Sequence, residues 1–122
     1  MKAVNTTKAP MPVGPYSQAV VVENLVFCSG QIGINPKTNQ LESGLQRQAE
    51  QIFKNLKAIL EAVGSGLDKT IRTSIYLTNS NDFETVNQIY EKYFQHKPAR
   101  TTVIVKQLPK NALLEVDLIA LL

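Results

Sequence analysis

The sequence contains one cysteine, one histidine and no tryptophan. With Cys28 alone, the chain can form neither an internal disulfide nor a metal site of several thiolates. The only imidazole, His96, lies in the polar segment QHKPA, so a histidine-based metal site and a Ser/His triad are both disfavoured. We therefore expect a cofactor-poor protein without a metal site.

A long apolar run is also absent. The first residues, MKAVNTTKAPMPVG, lack the apolar core of a signal peptide, and no segment approaches the length needed to span a membrane. These features predict a soluble cytoplasmic protein that has no membrane partner.

Charge is scattered along the chain. Lys and Arg number 13 against 10 Asp and Glu, which gives a net charge of +3, and the basic residues form no cluster. A nucleic-acid partner is therefore not expected. A length of 122 residues and a hydrophobic fraction of 43%, without low-complexity segments, predict one globular domain spanning residues 1–122.

Runs rich in β-branched residues indicate strands in the first part of the chain. We predict strands at residues 2–5, 18–22 and 25–30, and the last two read as a hairpin closed by Glu23-Asn24. The turn-forming letters NPKTNQ predict that residues 31–43 form turns without buried structure.

Two segments have apolar residues spaced three and four apart, which predicts amphipathic helices at residues 44–64 and 81–94. Gly64 is a suitable end for the first helix, and Ser80 or Asn81 can cap the second. The apolar stripe of the first helix is Leu45, Ala49, Ile52, Phe53, Leu56, Ile59, Leu60 and Val63. That of the second is Phe83, Val86, Ile89 or Tyr90, and Tyr93.

Three further strands are predicted at residues 69–79, 101–107 and 112–121. The first of them alternates, with Ile71, Thr73, Ile75 and Leu77 on one face. The order β-β-β-α-β-α-β-β predicts an α+β fold in which two helices cover one face of a sheet.

The last strand has two different faces. Leu114, Val116, Leu118 and Ala120 form an apolar face that we assign to the helices. The opposite face carries Leu113, Glu115, Asp117, Ile119 and Leu121. In a monomer this mixed face would be exposed to solvent, so the pattern predicts a homo-oligomer whose interface holds a polar site. The alternative is a monomer with a few surface leucines.

Five segments carry a family resemblance. They are GPYSQAV at residues 14–20, FCSGQIGINPKTNQ at 27–40, NDFETVNQIYEKYF at 81–94, KPARTTV at 97–103 and LPKNALLEVDLIA at 108–120. In order and approximate spacing they resemble the RidA/YjgF family of reactive intermediate (imine/enamine) deaminases, over nearly the whole chain.

The resemblance implies a chorismate-mutase-like fold and a homotrimer with a central barrel and clefts between subunits. The implied reaction is hydrolysis of 2-iminoacids or enamines, such as 2-iminobutanoate and 2-iminopropanoate, to 2-ketoacids and ammonia without a cofactor. A trimer that only binds a small metabolite in a regulatory role is the alternative, because fold and cleft do not prove turnover. Ribonuclease activity ranks last, given the scattered charge and the solitary His96.

Arg100 and Glu115 are the candidate catalytic residues. The guanidinium of Arg100 presents parallel donors that match a substrate carboxylate. Glu115, partly desolvated on an apolar strand, could orient water and transfer a proton. The structural alternatives are a surface arginine at a strand start, with or without an acidic partner, and for Glu115 an interfacial ion pair or an edge-strand charge. Asp117 is interpreted as structural or interfacial.

The resemblance also implies substrate-binding roles for Tyr16, Ser29, Gly30, Asn87 and Thr102. Tyr16 would form an aromatic wall, whereas Ser29 and Gly30 would bring a hydroxyl and a backbone N–H to the ligand. Asn87 would supply a structural or site hydrogen bond. Thr102 departs from the cysteine that many relatives have there, which leaves a backbone contact but no thiol.

The spacing of the two catalytic candidates does not by itself bring them together. A simple hairpin at residues 108–111 would pair Ile104 with Glu115 and leave Arg100 roughly 13 Å farther along the strand. Strand curvature, a bridging substrate and a neighbouring subunit are the three ways to join them.

Overall fold

Six strands form one sheet in the computed structural model, which describes residues 1–122. Two short strands form a separate hairpin, and two α-helices complete the fold. The elements are β1 (Lys2–Val4), β2 (Ala19–Val22), β3 (Leu25–Gln31), β4 (Ile34–Asn35), β5 (Gln40–Leu41), α1 (Leu45–Glu61), β6 (Thr70–Leu77), α2 (Phe83–Tyr93), β7 (Ala99–Ile104) and β8 (Leu114–Leu121).

The large sheet has the strand order β1-β2-β3-β8-β6-β7. Neighbours are antiparallel except β6 and β7, which are parallel. Parallel neighbours need a crossover connection, and α2 supplies it between these two strands. The α+β class and the six-stranded mixed sheet with two helices are thereby confirmed.

The hairpin of β2 and β3 is also confirmed. Val22 pairs with Leu25, and Glu23 between them has a positive φ of 53°. Such left-handed backbone in a two-residue turn matches the twist of the flanking strands, which is why short hairpins favour it.

The prediction that the last two strands form a simple hairpin is wrong. β6 lies between β7 and β8, so Ile104 stands opposite Leu77, and Leu77 in turn stands opposite Leu114. The connection from β7 to β8 includes the 3₁₀ turn Pro109–Asn111 and is long enough to cross the end of β6. The central strand β6 thus pairs on both of its edges.

The first helix forms where the spacing predicts it. Its residues Ala49, Ile52, Phe53, Leu56, Ile59 and Leu60 are fully buried. At its end Gly64 adopts φ 79°, and the Ser65 N–H donates to the Leu60 carbonyl at 2.9 Å, which caps the last turn. Neither helix is long and apolar enough to cross a membrane.

The helices cover the sheet face formed by alternate residues of β8 and β6. On that face Leu114, Val116, Leu118, Ala120, Thr73, Ile75 and Leu77 are buried. From α2, the Tyr90 hydroxyl lies 2.8 Å from the Thr73 hydroxyl, which ties this helix to β6. Phe53 and Phe94 pack against the Tyr90 ring and join the two helices.

Two residues of the predicted apolar stripes are exposed. Ile71 was expected to be on the buried face of β6, but it is 42% exposed, because β6 carries one extra residue between Thr70 and Arg72 relative to β8. Phe83, 43% exposed, is the first residue of α2. A 3₁₀ turn, Ser80–Asp82, precedes it, and the Asn79 side chain caps that turn by accepting from the Asn81 N–H. The N-cap residue of α2 is Asp82, not Ser80 or Asn81, and its side chain makes no capping hydrogen bond.

The prediction that residues 31–43 lack buried structure is wrong. Gln31 and Ile34 are buried, and β4 pairs with β5. The small hairpin is held by α1, whose Asn55 side chain donates to the Ile34 carbonyl at 2.9 Å. Gly33 allows this close contact, since a Cβ there would lie 2.6 Å from the Gln48 Cα.

Gln18 holds the proline-containing loop that follows β1. Its side chain is 1% exposed, accepts from the Thr6 N–H at 2.7 Å, and donates to the carbonyls of Thr6 and Pro10 at 3.0 and 2.8 Å. The loop has no regular secondary structure, so hydrogen bonds to this one buried amide hold its backbone in place.

Replacing Gln18 by alanine is expected to lower the free energy of unfolding by about 2–4 kcal/mol, because buried loop groups lose their partners and a small cavity forms. Urea unfolding at one fixed protein concentration measures the difference. Gln46→Ala, at an exposed position of α1, is the matched control. Equal stability of the two variants would contradict the role given to Gln18.

Candidate functional site

The sheet face away from the helices is mixed, as the sequence of β8 predicts. Four large apolar side chains on this open face are 40–44% exposed: Val22, Phe27, Val103 and Leu121. Glu115 and Asp117 lie half-buried on the same face. An apolar surface with carboxylates set into it is what a polar site at a subunit contact would require.

Glu115 stands beside a distortion in β3. Cys28 pairs with Leu118 and Gln31 with Val116, so Ser29 and Gly30 share the space opposite Asp117. A Cβ at Gly30 would lie 2.9 Å from Glu115 Oε2, so only glycine allows the carboxylate to rest against this backbone. The bulge thus places Gly30 and Glu115 in contact.

The surroundings of Glu115 favour its protonated form. Burial raises the pKa of this carboxyl group, and the negative charge of Asp117 raises it further. Tyr76, directly opposite Glu115 on β6, donates its hydroxyl to Asp117 Oδ2 at 3.0 Å. Sequence analysis missed Tyr76, because its position opposite Glu115 follows only once β6 and β8 are known to pair.

A cavity of about 270 Å³ opens beside Glu115. Tyr16 and Gly30 line it together with Glu115, so the structure joins three of the predicted site residues. Tyr16 is 50% exposed and belongs to the loop that Gln18 anchors. Lys110, a residue that sequence analysis did not assign to the site, also lines the cavity.

Ser29 bonds to the backbone of the loop that carries Tyr16. Its hydroxyl donates to the Ser17 carbonyl at 2.6 Å, and its N–H donates to the Gln18 carbonyl at 2.9 Å. It does not line the cavity beside Glu115. In this chain Ser29 fixes the loop that presents Tyr16.

Arg100 lies near α2, at the edge of the sheet. Its Nη2 donates to Asn87 Oδ1 at 2.7 Å, and its guanidinium carbon lies 4.8 Å from the centroid of the Tyr90 ring. The ring of Phe83 is 5.6 Å away. A hollow of about 330 Å³ lies beside these groups and is lined by Asn87, Tyr90 and Arg100.

Arg100 has no carboxylate partner. The one ion pair of the chain joins Lys92 to Glu50 at 3.3 Å, so no acid of the same protomer pairs with Arg100. Thr102, two residues farther on the same face of β7, has a buried hydroxyl without a hydrogen-bond partner. Arg100, Asn87 and Thr102 thus form a second group of predicted site residues.

The two groups lie on opposite faces of the sheet. Arg100 stands opposite Thr73, and Thr73 opposite Leu118, both buried beneath the helices. Glu115 stands opposite Tyr76 on the open face. Neither strand curvature nor a small bridging substrate can join side chains that a sheet separates. A site that used both Arg100 and Glu115 would therefore need a neighbouring subunit, the third of the ways considered from the sequence.

Cys28 offers no reactive thiol. Burial, with a smaller effect of Asp117, raises its pKa to about 12, so the thiolate form is scarce near neutral pH. No three side chains of His, Cys, Asp or Glu come together closely enough to hold a metal ion.

Known proteins resemble this chain over nearly its full length. A family model described as Endoribonuclease L-PSP matches residues 6–122. A RutC family protein of Aquifex aeolicus is 50% identical over 98% of both chains. A 2-iminobutanoate/2-iminopropanoate deaminase of Dermatophagoides farinae is 43% identical over 99% of this chain and 96% of its own. The crystal structure of RidA from an Antarctic Psychrobacter species superimposes with a TM-score of 0.97, at 41% identity and full coverage of both chains.

Proposed function

This chain belongs to the RidA/YjgF family, and from that membership we propose that it hydrolyses 2-iminoacids and their enamine tautomers to 2-ketoacids and ammonia. 2-Iminobutanoate and 2-iminopropanoate are the substrates named for relatives such as the one from D. farinae. The observation that carries the proposal is Arg100, a guanidinium with no acidic partner that lies beside a hollow.

The active site in this proposal forms between protomers of a homotrimer. One protomer contributes Arg100, Asn87 and Thr102, and its neighbour contributes Glu115 and the residues around it. The opposite positions of Arg100 and Glu115 in the sheet support this arrangement. The partly exposed apolar side chains of the open face give the protomers a surface on which to associate.

Arg100 binds the carboxylate of the iminoacid. The fork of a guanidinium matches two carboxylate oxygens, and Asn87 orients it by accepting one N–H, which leaves the other donors for substrate. The nearby rings of Tyr90 and Phe83 limit its movement. Thr102 lies two residues farther along the same face of β7, and its hydroxyl is buried without a hydrogen-bond partner.

Glu115 activates the water and returns its proton. As a carboxylate it accepts a proton from water, whose oxygen then bonds to the imine carbon while the C=N electrons move to nitrogen. Glu115 delivers the proton to that nitrogen, which gives a carbinolamine. Glu115 then accepts the proton of the new hydroxyl and passes it to the amino nitrogen, so that the C–O bond becomes a carbonyl while the C–N bond breaks to release ammonia. Its raised pKa favours this proton return near neutral pH.

Tyr16 and Gly30 complete the pocket around Glu115. The exposed ring of Tyr16 forms a wall for the substrate, and Gly30 permits the chain to approach it closely. Ser29 supports catalysis by holding the loop that carries Tyr16.

Asp117→Asn is expected to move the acid side of the pH–rate profile to lower pH. Because the negative charge of Asp117 helps to raise the pKa of Glu115, its removal lowers that pKa. The carboxylate of Glu115, which the first step requires, then persists to lower pH. Asparagine keeps an oxygen that can accept from the Tyr76 hydroxyl. An unchanged profile, matching that of the surface control Asp68→Asn, would contradict the assignment.

The proposed function is tested by generating 2-iminobutanoate from threonine with a dehydratase and following its decay. We expect the purified protein to speed 2-ketobutanoate formation, and light scattering to give a species three times the 13.5 kDa of one chain. Equal decay with and without the protein would favour a metabolite-binding trimer instead. A 13.5 kDa species would contradict the composite site.

A further inference from the structure

Two hydroxyl groups meet in the apolar layer between α2 and the large sheet. Thr73 of β6 is fully buried, Tyr90 of α2 is 7% exposed, and their hydroxyl oxygens lie 2.8 Å apart. Their neighbours are apolar, since Phe53 and Phe94 pack against the Tyr90 ring and Leu118 stands opposite Thr73. A valine and a phenylalanine would have similar shapes and would bury no hydroxyl. Packing alone therefore does not explain the pair.

Thr73 stands directly opposite Arg100, on the neighbouring strand β7. The guanidinium carbon of Arg100 lies 4.8 Å from the centroid of the Tyr90 ring, the ring whose hydroxyl bonds to Thr73. Asn87, three residues earlier on α2, accepts from Arg100 Nη2 at 2.7 Å. Residues three apart share one face of a helix, so a single face of α2 presents both Tyr90 and Asn87 to Arg100.

Few polar contacts determine where this face of α2 lies. Of the four side-chain hydrogen bonds that α2 makes, two reach Glu50 on α1 and one reaches Arg100. The fourth, between Tyr90 and Thr73, is the one that reaches β6, a strand paired on both edges. Thr73 thus attaches the ring beside Arg100 to the interior of the sheet.

Loss of the Thr73 hydroxyl would disturb this ring. Burial raises the pKa of Tyr90, so its hydroxyl keeps its proton near neutral pH and needs a hydrogen-bond partner. Buried polar groups without a partner are rare in folded proteins, so we expect the ring to turn toward another partner. Arg100 would then lose one of the groups that orient its guanidinium, and the fork would match a carboxylate less often.

We propose that Thr73 is a positioning residue for Arg100 and that it acts through Tyr90. Thr73 contacts neither the substrate nor the reacting atoms. It holds the ring beside the guanidinium, so that the substrate carboxylate meets a group already oriented to bind it. The inference rests on the proposed function, in which Arg100 binds that carboxylate.

Thr73→Val tests the proposal, because valine keeps the shape of the side chain and lacks the hydroxyl. We expect the KM for 2-iminobutanoate to rise about 10-fold, within the range of coupling between residues in contact, whereas kcat should change little. The Kd of the product 2-ketobutanoate, measured by calorimetric titration, should rise by the same factor. Thr73→Ser retains the hydroxyl and should restore both constants.

Thr70→Val is the matched control on the same strand. Thr70 is 3% exposed, and its hydroxyl has no hydrogen-bond partner. This variant loses a buried hydroxyl without losing the bond to Tyr90. Its KM and Kd should therefore equal those of the native protein, even if its stability differs.

A double-mutant cycle with Arg100→Ala separates positioning from general damage to the fold. If Thr73 acts through Arg100, Thr73→Val should have no further effect on kcat/KM, or on the Kd of 2-ketobutanoate, once Arg100 is alanine. An equal effect of Thr73→Val in both backgrounds would overturn the proposal.

The remaining outcomes distinguish the positioning role from the proposed function. If Thr73→Val does not fold, Tyr90→Phe replaces it, because it removes the same bond and keeps the ring. Native KM and Kd in the variant that folds would overturn the role of Thr73 and leave the deaminase intact. A native protein that binds 2-ketobutanoate but hydrolyses no imine would overturn the deaminase, and Kd would still decide the role of Thr73. A native protein that does neither would overturn both.

Discussion

Replacing Arg100 by alanine is expected to lower kcat/KM for 2-iminobutanoate by about 100-fold or more, because two charge-assisted hydrogen bonds to the substrate carboxylate are lost, each worth about 1.5–3 kcal/mol. The loss should fall mainly on KM if the carboxylate is bound equally well in the ground and transition states. Steady-state kinetics with the dehydratase-generated imine measure both parameters.

Two further variants, each at an arginine, test whether the planar guanidinium of Arg100 is responsible for the loss of activity. Arg100→Lys keeps the charge but not the planar fork, so we expect an intermediate rate. Arg47→Ala removes an exposed guanidinium from α1 and should behave like the native protein. A full rate in Arg100→Ala would show that the substrate carboxylate is held elsewhere, whatever the state of the rest of the site.

The elements that local pattern could predict are those with a long or regular signal. The stripe from Ala49 to Leu60 repeats over several turns, and alternation from Leu114 to Ala120 assigns both faces of β8. The two-residue connection between Val22 and Leu25 leaves the chain little choice but a hairpin. In each case neighbouring residues decide the structure.

Strand pairing is a long-range property, and here local pattern failed. β6 lies between β7 and β8 because the crossover through α2 places β7 at the free edge of β6. No local pattern in the sequence of β7 indicates that edge. A single extra residue near Ile71 reverses the expected face, which alternation alone cannot reveal. The short β4 is held by a long-range hydrogen bond from Asn55 of α1, and Gln48 of the same helix lies against Gly33 just before it.

The sequence proposes members for the candidate site but does not give their geometry. Arg100 and Glu115 were selected through chemistry and family resemblance, whereas their positions on opposite faces follow from the parallel pairing of β7 with β6. The bulge that places Gly30 in contact with Glu115 could not be predicted from the sequence, where the glycine itself is the only local signal. Tyr76 and Lys110 became candidates only once tertiary neighbours were known.

Replacing Glu115 by glutamine is expected to reduce kcat by about 10²–10⁴-fold, because the side chain keeps its size but can no longer accept and return a proton. Binding through Arg100 should persist, so KM should change little. Single-turnover kinetics together with calorimetric titration of a stable 2-ketoacid product separate the two effects. Glu61→Gln, at the exposed end of α1, is the matched control. Native activity in Glu115→Gln would assign water activation to another group.

Mixed trimers test whether Arg100 and Glu115 act across a subunit boundary. Arg100→Ala and Glu115→Gln chains, co-expressed in equal amounts with different tags, should assemble at random. About three quarters of the trimers would then be mixed, and each would hold one complete site out of three, so the pool should regain about a quarter of native activity. If both residues served the same subunit, every site would lack one of them and no activity would return. Since the sheet separates the two side chains within a protomer, we expect the recovery.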